Sequence, residues 1–216
     1  MNNDLTQIVM LIDKSGSMSA LRNDTIGGFN SFLSDQQKSV DGKANLTLVL
    51  FSSAVETVVQ SIDVNEVEPL TEKEYRPSGG TALLDAIGKT IDSLEEEYTN
   101  QEDKTKIPGK VIFAIITDGE ENASTRYTKG KIAGMIKHQT NRHNWEFVFL
   151  GANLDAVAEA RALGINNGLN FVPSGQSVND SFSVLSKSST SYRSSGVADY
   201  DLQGTTLEDL NINTKI

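Results

Sequence analysis

Short, nearly continuous apolar runs are the feature that most restricts how this chain can fold. Each is four to six residues long. They span residues 8–12, 46–51, 111–116, 147–150 and 169–172. Strands buried on both faces have this pattern, as in a parallel sheet covered by helices. A more mixed run at 54–62 follows the second apolar run after only two serines, which predicts a hairpin and an antiparallel edge strand.

Between the apolar runs, apolar residues recur at helical spacing. The predicted helices span residues 20–39, 81–98, 127–140, 154–163 and 177–192. The last segment is rich in serine, so a flexible linker is the alternative, but a stripe along one helical face favours a helix. That stripe consists of Val178, Phe182, Leu185, Ser189 and Tyr192. Strands that alternate with helices predict an α/β fold, with a Rossmann-like, mainly parallel open sheet and helices on both faces.

The length of the chain, 216 residues, is within reach of one large α/β domain. We therefore predict a single domain over residues 1–196. The remaining residues, 197–216, are polar and acidic, and we expect them to form a loosely held tail. Residues 95–109 are predicted to be a helix end that runs into a solvated loop.

Composition excludes several classes of protein. The chain has no cysteine, which rules out disulfide scaffolds, zinc fingers and cysteine nucleophiles. Its 19 basic and 29 acidic residues leave a net charge of −10, which disfavours nucleic acids and anionic membranes as partners. Residues 1–7 contain no Lys or Arg, unlike a secretory signal, and no run approaches the ~20 apolar residues of a membrane span. We expect a cytoplasmic protein.

Polar oxygen-bearing residues follow two of the predicted strands and precede one helix. The three segments are Asp13-Lys14-Ser15-Gly16-Ser17, Ser78-Gly79-Gly80-Thr81 and Thr117-Asp118-Gly119. In open α/β sheets, ligands bind beyond the carboxyl ends of the strands. Two carboxylates and three hydroxyls form a hard, all-oxygen donor set, which suits Mg²⁺, Mn²⁺ or Ca²⁺. Two neighbouring carboxylates at the ends of buried strands would repel each other without a cation.

Simpler interpretations of the same residues stay open. Asp13, Thr81 and Asp118 are of the types that cap helix N-termini, and Gly79-Gly80 is typical of a plain turn. Other residues near these motifs are interpreted as solvated groups. They are Lys14, Asp85, Glu120, Glu121 and Asn122. The alternatives are that Asp85 is a metal ligand and that Glu120, Glu121 and Asn122 form the rim of the site.

Taken together, D-x-S-G-S after the first strand, G-G-T at the start of a helix and T-D-G after a central strand resemble the von Willebrand factor A domain with its metal-ion-dependent adhesion site. The resemblance covers roughly residues 5–195 and points to a compact, stand-alone type. It implies that Ser15 and Ser17 bind the metal directly, Thr81 directly or through water, and Asp13 and Asp118 largely through water. It also implies the strand order 3-2-1-4-5-6, with strand 3 as the antiparallel edge.

The donor set predicts a binding protein rather than an enzyme. Mg²⁺ is favoured over Ca²⁺ or Mn²⁺ because the set has few carboxylates, and an open coordination position could accept an Asp or Glu of a partner protein. Two alternatives remain. One is a Mg²⁺-dependent phosphatase or phosphotransferase that uses Asp13, although such enzymes need a second Asp where Ser15 stands. The other is a metal that serves only to stabilise the fold.

Overall fold

A six-stranded sheet forms the centre of the protein, in the order β3-β2-β1-β4-β5-β6. The computed structural model describes residues 1–151, 154–170 and 174–198. Only β3 runs antiparallel to its neighbour, so the predicted order and edge strand are confirmed. The strands are β1 (Asn2–Asp13), β2 (Lys43–Phe51), β3 (Val55–Asp63), β4 (Pro108–Thr117), β5 (Glu146–Gly151) and β6 (Asn167–Asn170).

In the part of the chain that the structure describes, five α-helices connect or follow these strands. They are α1 (Arg22–Lys38), α2 (Leu83–Asn100), α3 (Lys129–His143), α4 (Leu154–Ala162) and α5 (Gly175–Ser195). The serine-rich segment is therefore a helix rather than a linker, and all five residues of its predicted stripe are buried. The predicted end of the last strand, residues 171–172, lies outside the described residues, as does the tail from residue 199. The boundary between a domain and a tail at residue 196 stays a prediction.

Both faces of the sheet are covered, which explains why the strand sequences are apolar without alternation. On β1, Ile8, Met10 and Ile12 pack into the core on the side of α1 and α5. Val9 and Leu11 point the other way, into the core on the side of α2 and α3. Side chains of successive strand residues alternate between faces, so a doubly covered strand needs apolar residues at every position.

Several boundaries differ from the predictions; β4, for example, begins at Pro108, within the segment that was predicted to be a solvated loop. The first strand begins at Asn2 rather than residue 8, because the polar residues before the apolar run also pair with the neighbouring strands. The first helix is preceded by a 3-10 segment, Gly16–Leu21, which the apolar pattern did not indicate. Among the residues that the structure describes, no helix combines the length and the apolar character needed to cross a membrane.

Strand order decides where the candidate site lies. Strands β1 and β4 are parallel neighbours, with Ile12 opposite Ile116, so Asp13 and Thr117 leave the sheet side by side. Strand β1 lies between β2 and β4 in the sheet. The chain continues from β1 to β2 on one side of β1 and passes from β3 to β4 on its other side. The carboxyl ends of such strands are where α/β proteins bind ligands.

Candidate metal centre

Asp13 is the most deeply buried of the predicted site residues. Its side chain has no solvent exposure, and it accepts hydrogen bonds from the Ser15 backbone N–H at 2.6 Å and from Thr117 Oγ1 at 2.6 Å. Burial raises the pKa of Asp13 to about 6, and the charge of Asp118 adds to the rise, although both hydrogen bonds oppose it. The Tyr75 hydroxyl donates to the Asp13 backbone carbonyl at 2.6 Å, so the end of β1 is held from two sides.

A chain of hydroxyl groups joins the loop after β1 to the loop after β4. The Oγ atoms of Ser15 and Ser17 lie 3.0 Å apart, and Ser17 Oγ donates to Asp118 Oδ1 at 2.6 Å. Ser15 is buried, whereas Ser17 is exposed and Asp118 is partly exposed. Burial also raises the pKa of Asp118, and the hydrogen bond from Ser17 counteracts this rise.

Thr81 reaches the same place from the loop before α2. A Cβ atom built on Gly119 would lie 3.3 Å from Thr81 Oγ1, 3.7 Å from Ser17 Oγ and 4.0 Å from Asp13 Oδ2. Oxygen atoms from the end of β1 with the segment after it, and from the loop before α2, therefore surround one small space beside Gly119. With Ser15 and Asp118 bonded to Ser17, the structure brings all five predicted residues together.

The capping interpretation of these residues is wrong. The N-cap position of α2 is Ala82, with no side-chain cap bond, so Thr81 does not cap that helix. The helix after Asp118 begins only at Lys129, and Thr128 caps it. Asp13 binds the Ser15 N–H, but the N-cap of the following 3-10 segment is Ser15 itself.

Several neighbours that were predicted to have no role in the site instead hold its loops together, and this is a correction. Asn122 Oδ1 accepts the Thr81 backbone N–H at 2.8 Å, and the Asn122 N–H donates back to the Thr81 carbonyl at 3.0 Å. These two bonds fix the backbone of Thr81 against the loop after β4. Asn122 is exposed, as predicted, but its contacts with Thr81 were not predicted, because sequence alone does not show which loops meet.

Glu121 and Asp85 clamp the same loop onto the start of α2. Glu121 accepts the Leu84 N–H at 2.8 Å with Oε2 and the N–H groups of Ala123 and Ser124 with Oε1. Asp85 in turn accepts three backbone N–H groups of residues 125–127 at 2.9–3.0 Å, and the bonds to these N–H groups lower its pKa despite partial burial. Neither carboxylate is a solvated surface acid. Only Glu120 of the predicted solvated acids is exposed as expected.

Lys14 also departs from its prediction, since it does not extend into solvent. Its Nζ pairs with Glu56 Oε2 on the edge strand at 2.5 Å, and only 16% of its side chain is exposed. The positive charge next to Asp13 in sequence is thus directed to a different carboxylate.

Two residues of the site were absent from the sequence predictions. Thr117 and Gly119 flank Asp118 in the T-D-G motif, but no role followed from their residue types. Thr117 Oγ1 bonds Asp13 and also lies 3.2 Å from both the carbonyl and the N–H of Gly119. Among the described residues, no cluster of three or more His, Asp or Glu side chains could hold a metal, so any metal here depends on hydroxyl groups as well as carboxylates.

Comparison with protein families gives one match. Residues 7–197 match the model of the von Willebrand factor type A domain. A comparison with curated protein sequences gives no match.

Solved structures resemble the fold at low sequence identity. A von Willebrand factor type A protein from Catenulispora acidiphila is 18% identical, with a TM-score of 0.57, and the alignment covers 88% of this chain and 43% of that one. The PilB minor pilin from Streptococcus sanguinis is 13% identical, with a TM-score of 0.62 and coverages of 88% and 61%. The manganese-loaded Plasmodium vivax TRAP protein is 23% identical, with a TM-score of 0.55 and coverages of 76% and 64%. The chain spans less than two thirds of each of these proteins.

Proposed function

This chain belongs to the von Willebrand factor type A domain family, and from that premise we propose that it binds a divalent cation and uses it to hold an Asp or Glu side chain of a partner protein. The family is often metal-dependent and mediates protein interactions. The proposal assigns the cation to Asp13, Ser15, Ser17, Thr81 and Asp118. It also describes a binding protein rather than an enzyme, and a cytoplasmic location stays a prediction.

The space beside Gly119 is the observation that carries the proposal. Three oxygen atoms face it, two from the end of β1 with the segment after it and one from the loop before α2, at 3.3–4.0 Å from a Cβ position that glycine leaves empty. Carboxylate and hydroxyl oxygens are the donors that Mg²⁺ and Mn²⁺ prefer. Burial raises the pKa of both carboxylates, and a nearby cation would offset that cost by favouring their charged forms. The residues present therefore fit a hard divalent cation.

The outer side of the site is open to a partner. Ser17 is exposed and Asp118 partly exposed, whereas Asp13, Ser15 and Thr81 are buried. When bound, the cation would supply a positive centre that a carboxylate from outside can complete. Mg²⁺ suits a set with only two carboxylates, and the manganese in the TRAP structure supports testing Mn²⁺ beside it.

Gly119→Ala is the sharpest test of cation binding. The added methyl group would occupy the space in front of three oxygens, while the backbone of Gly119 is not in the left-handed region that disfavours alanine. We expect Mg²⁺ affinity, measured by calorimetry on chelator-treated protein, to fall roughly 10–100-fold. Gly134→Ala is the matched control, because nothing lies within 4 Å of a Cβ at that position. Equal Mg²⁺ affinity of wild type and Gly119→Ala would contradict the assignment.

Partner binding needs its own experiment. We expect a protein captured from the native host in Mg²⁺ to be lost in EDTA and to be lost with Ser17→Ala. Ser19→Ala serves as the control, since its hydroxyl bonds the Gly16 carbonyl at 2.7 Å and does not face the site. If EDTA lowers only the melting temperature while capture persists, the metal merely stabilises the fold. Turnover of p-nitrophenyl phosphate in Mg²⁺, abolished by Asp13→Asn, would favour the phosphatase alternative.

A further inference from the structure

A groove of about 750 Å³, the β3 groove, lies beside the edge strand on the side of the sheet that α1 and α5 cover. One wall is formed by Leu48 of β2 and by residues 58–60 and Ile62 of β3, and the other by residues 66–71 and Glu74. Its volume is within the range of ligand-binding clefts, roughly 300–1,000 Å³. None of the five predicted metal-site residues lines it.

Ile62 gives the β3 groove an exposed apolar surface. Its side chain is 41% exposed, and it is the only large apolar residue within a strand or helix of the described chain that is exposed. Val58 and Val59 line the same groove and are only partly buried. Apolar side chains that share an exposed groove in this way indicate a surface for interaction with another molecule.

The outer wall of the groove is fastened to α1 by side chains. Asn30 donates to the Leu70 carbonyl at 3.0 Å and accepts the Leu70 N–H at 2.8 Å. Gln37 donates to the carbonyls of Val64 and Val67 at 3.0 and 3.1 Å. The groove is therefore formed before anything binds to it, and an occupant loses little affinity to the ordering of this wall.

The charge around the groove is entirely negative. The charged residues that line it are Glu66, Glu68 and Glu74. Glu66 and Glu68 are exposed, and within the described part of the chain neither forms an ion pair. Complementary charge across an interface favours association and selects the partner. The occupant that suits this rim therefore carries lysine or arginine beside its apolar side chains.

Two occupants from the protein itself are disfavoured by charge. Residues 199–216 contain four acidic residues and one lysine. A second copy of the chain would bring the same acidic rim and a net charge of −10. Like charges repel each other, so a basic segment from a different protein fits the groove better than either.

We propose that the β3 groove binds a segment of a partner protein in which apolar side chains are flanked by lysine or arginine. The apolar side chains cover Ile62 and the valines beside it, and the basic ones pair with Glu66 and Glu68. This interaction does not depend on the proposed metal-dependent function, because no residue assigned to the cation lines the groove.

A short capped peptide in which leucine and lysine alternate is the probe, and fluorescence anisotropy of a labelled copy measures its binding to the full chain. We expect a dissociation constant of about 10–100 µM. Peptides with serine in place of leucine, or glutamate in place of lysine, should bind about tenfold more weakly or worse. Affinity should be the same in Mg²⁺ and in EDTA at equal ionic strength, which separates the groove from the metal centre.

Ile62→Thr tests the apolar contact. Threonine keeps a β-branched side chain in the strand but removes apolar surface, so affinity for the leucine–lysine peptide should fall about fivefold. Val40→Thr is the matched control, because Val40 is exposed but does not line the groove. Its affinity should equal that of wild type.

Glu66→Gln combined with Glu68→Gln tests the charged contact. The loss of both carboxylates should weaken peptide binding about tenfold at low salt. Glu96→Gln combined with Glu102→Gln is the matched control, because it removes the same charge from exposed positions outside the groove, and it should have little effect. Both exposed pairs are expected to fold, so this comparison decides if Ile62→Thr does not.

Several results would overturn the proposal. One is equal affinity for the leucine–lysine and serine–lysine peptides, and another is equal weakening by the two glutamine pairs, since either would mean non-specific attraction to an acidic protein. Wild type that dimerises in analytical ultracentrifugation, with Ile62→Thr monomeric, would assign the groove to a second copy. A rise in peptide affinity on Leu207→Ser combined with Leu210→Ser would assign it to residues 199–216.

Discussion

Asp13 and Asp118 follow neighbouring parallel strands, yet the protein holds the first carboxylate in its interior and the second near its surface. Asp13 is the last residue of β1 and is fully buried. The backbone of Ser15 and the hydroxyl of Thr117 bond its two oxygens. Asp118 stands just beyond β4, is partly exposed, and accepts a hydrogen bond from the exposed Ser17.

The two loops also differ in what keeps them in place. The loop after β1 is held by backbone bonds, with Lys14 N–H donating to the Phe51 carbonyl at 2.6 Å and Gly16 N–H to the Gly79 carbonyl at 3.0 Å. The loop after β4 is held mainly by the side chains of Asp85, Glu121 and Asn122. The Asp13 carboxylate is therefore positioned by the sheet and by backbone bonds, whereas the position of the Asp118 carboxylate depends on side-chain contacts of its loop.

The largest expected difference between the two carboxylates is in their conversion to amides. Asp13→Asn should lower Mg²⁺ affinity about 100-fold and Asp118→Asn about tenfold, because only Asp13 is completely buried. Without metal, Asp13→Asn should raise the free energy of unfolding at pH 7 by ~1–3 kcal/mol, since a buried charge disappears. Asp118→Asn should change it less. Calorimetry measures the Mg²⁺ affinity, and urea unfolding measures the stability. Equal effects of the two variants would contradict the difference between the two carboxylates.

The next effect is a dependence of stability on pH in the metal-free protein. The folded-state pKa of Asp13 is about 6, against 3.8 for the ordinary side chain. As the pH rises, the folded state therefore keeps the proton of the Asp13 carboxyl to a higher pH than the unfolded state does. The contribution of this proton to the free energy of unfolding is complete below pH 3.8 and is lost as the pH rises through about 6.

Asp13→Asn isolates that contribution from the other carboxylates. The difference in the free energy of unfolding between Asp13→Asn and wild type should grow from pH 4 to pH 7 and then level off. Urea unfolding at several pH values in EDTA measures it. A difference in the free energy of unfolding that does not vary with pH would mean that burial does not raise the pKa of Asp13.

The smallest expected effect concerns the side-chain clamp on the second loop. Glu121→Gln keeps one acceptor oxygen but loses the charged partner of the Leu84 N–H and of Ser124 Oγ. We expect about 1 kcal/mol less stability and a few-fold weaker Mg²⁺ binding, because Asp118 loses support. Glu120→Gln removes the adjacent exposed charge and is the matched control. If both variants behave alike, net charge rather than the clamp is responsible.

Much of the fold was predictable from local patterns. The continuous apolar runs of β1, β4 and β5 indicated doubly covered strands, and the stripe on α5 outweighed its serine content because every member of the stripe is buried. Residues 2–7 were not predicted to extend β1 because most of them are polar, although Leu5, Thr6 and Gln7 are buried in the strand. The five candidate ligands were predictable because their motifs stand directly at the ends of strands and at the start of a helix.

The sequence by itself determined the α/β fold class, the strand order through its resemblance to the family, and the residues that meet at the ends of β1 and β4. Only the tertiary structure decided that Asp13 is buried while Asp118 is not, that Lys14 turns to Glu56, and that Asp85 and Glu121 bind backbone N–H groups. The reason is physical. Local pattern sets which segments become strands or helices, but burial and hydrogen-bond partners depend on residues distant in the chain that only folding brings together.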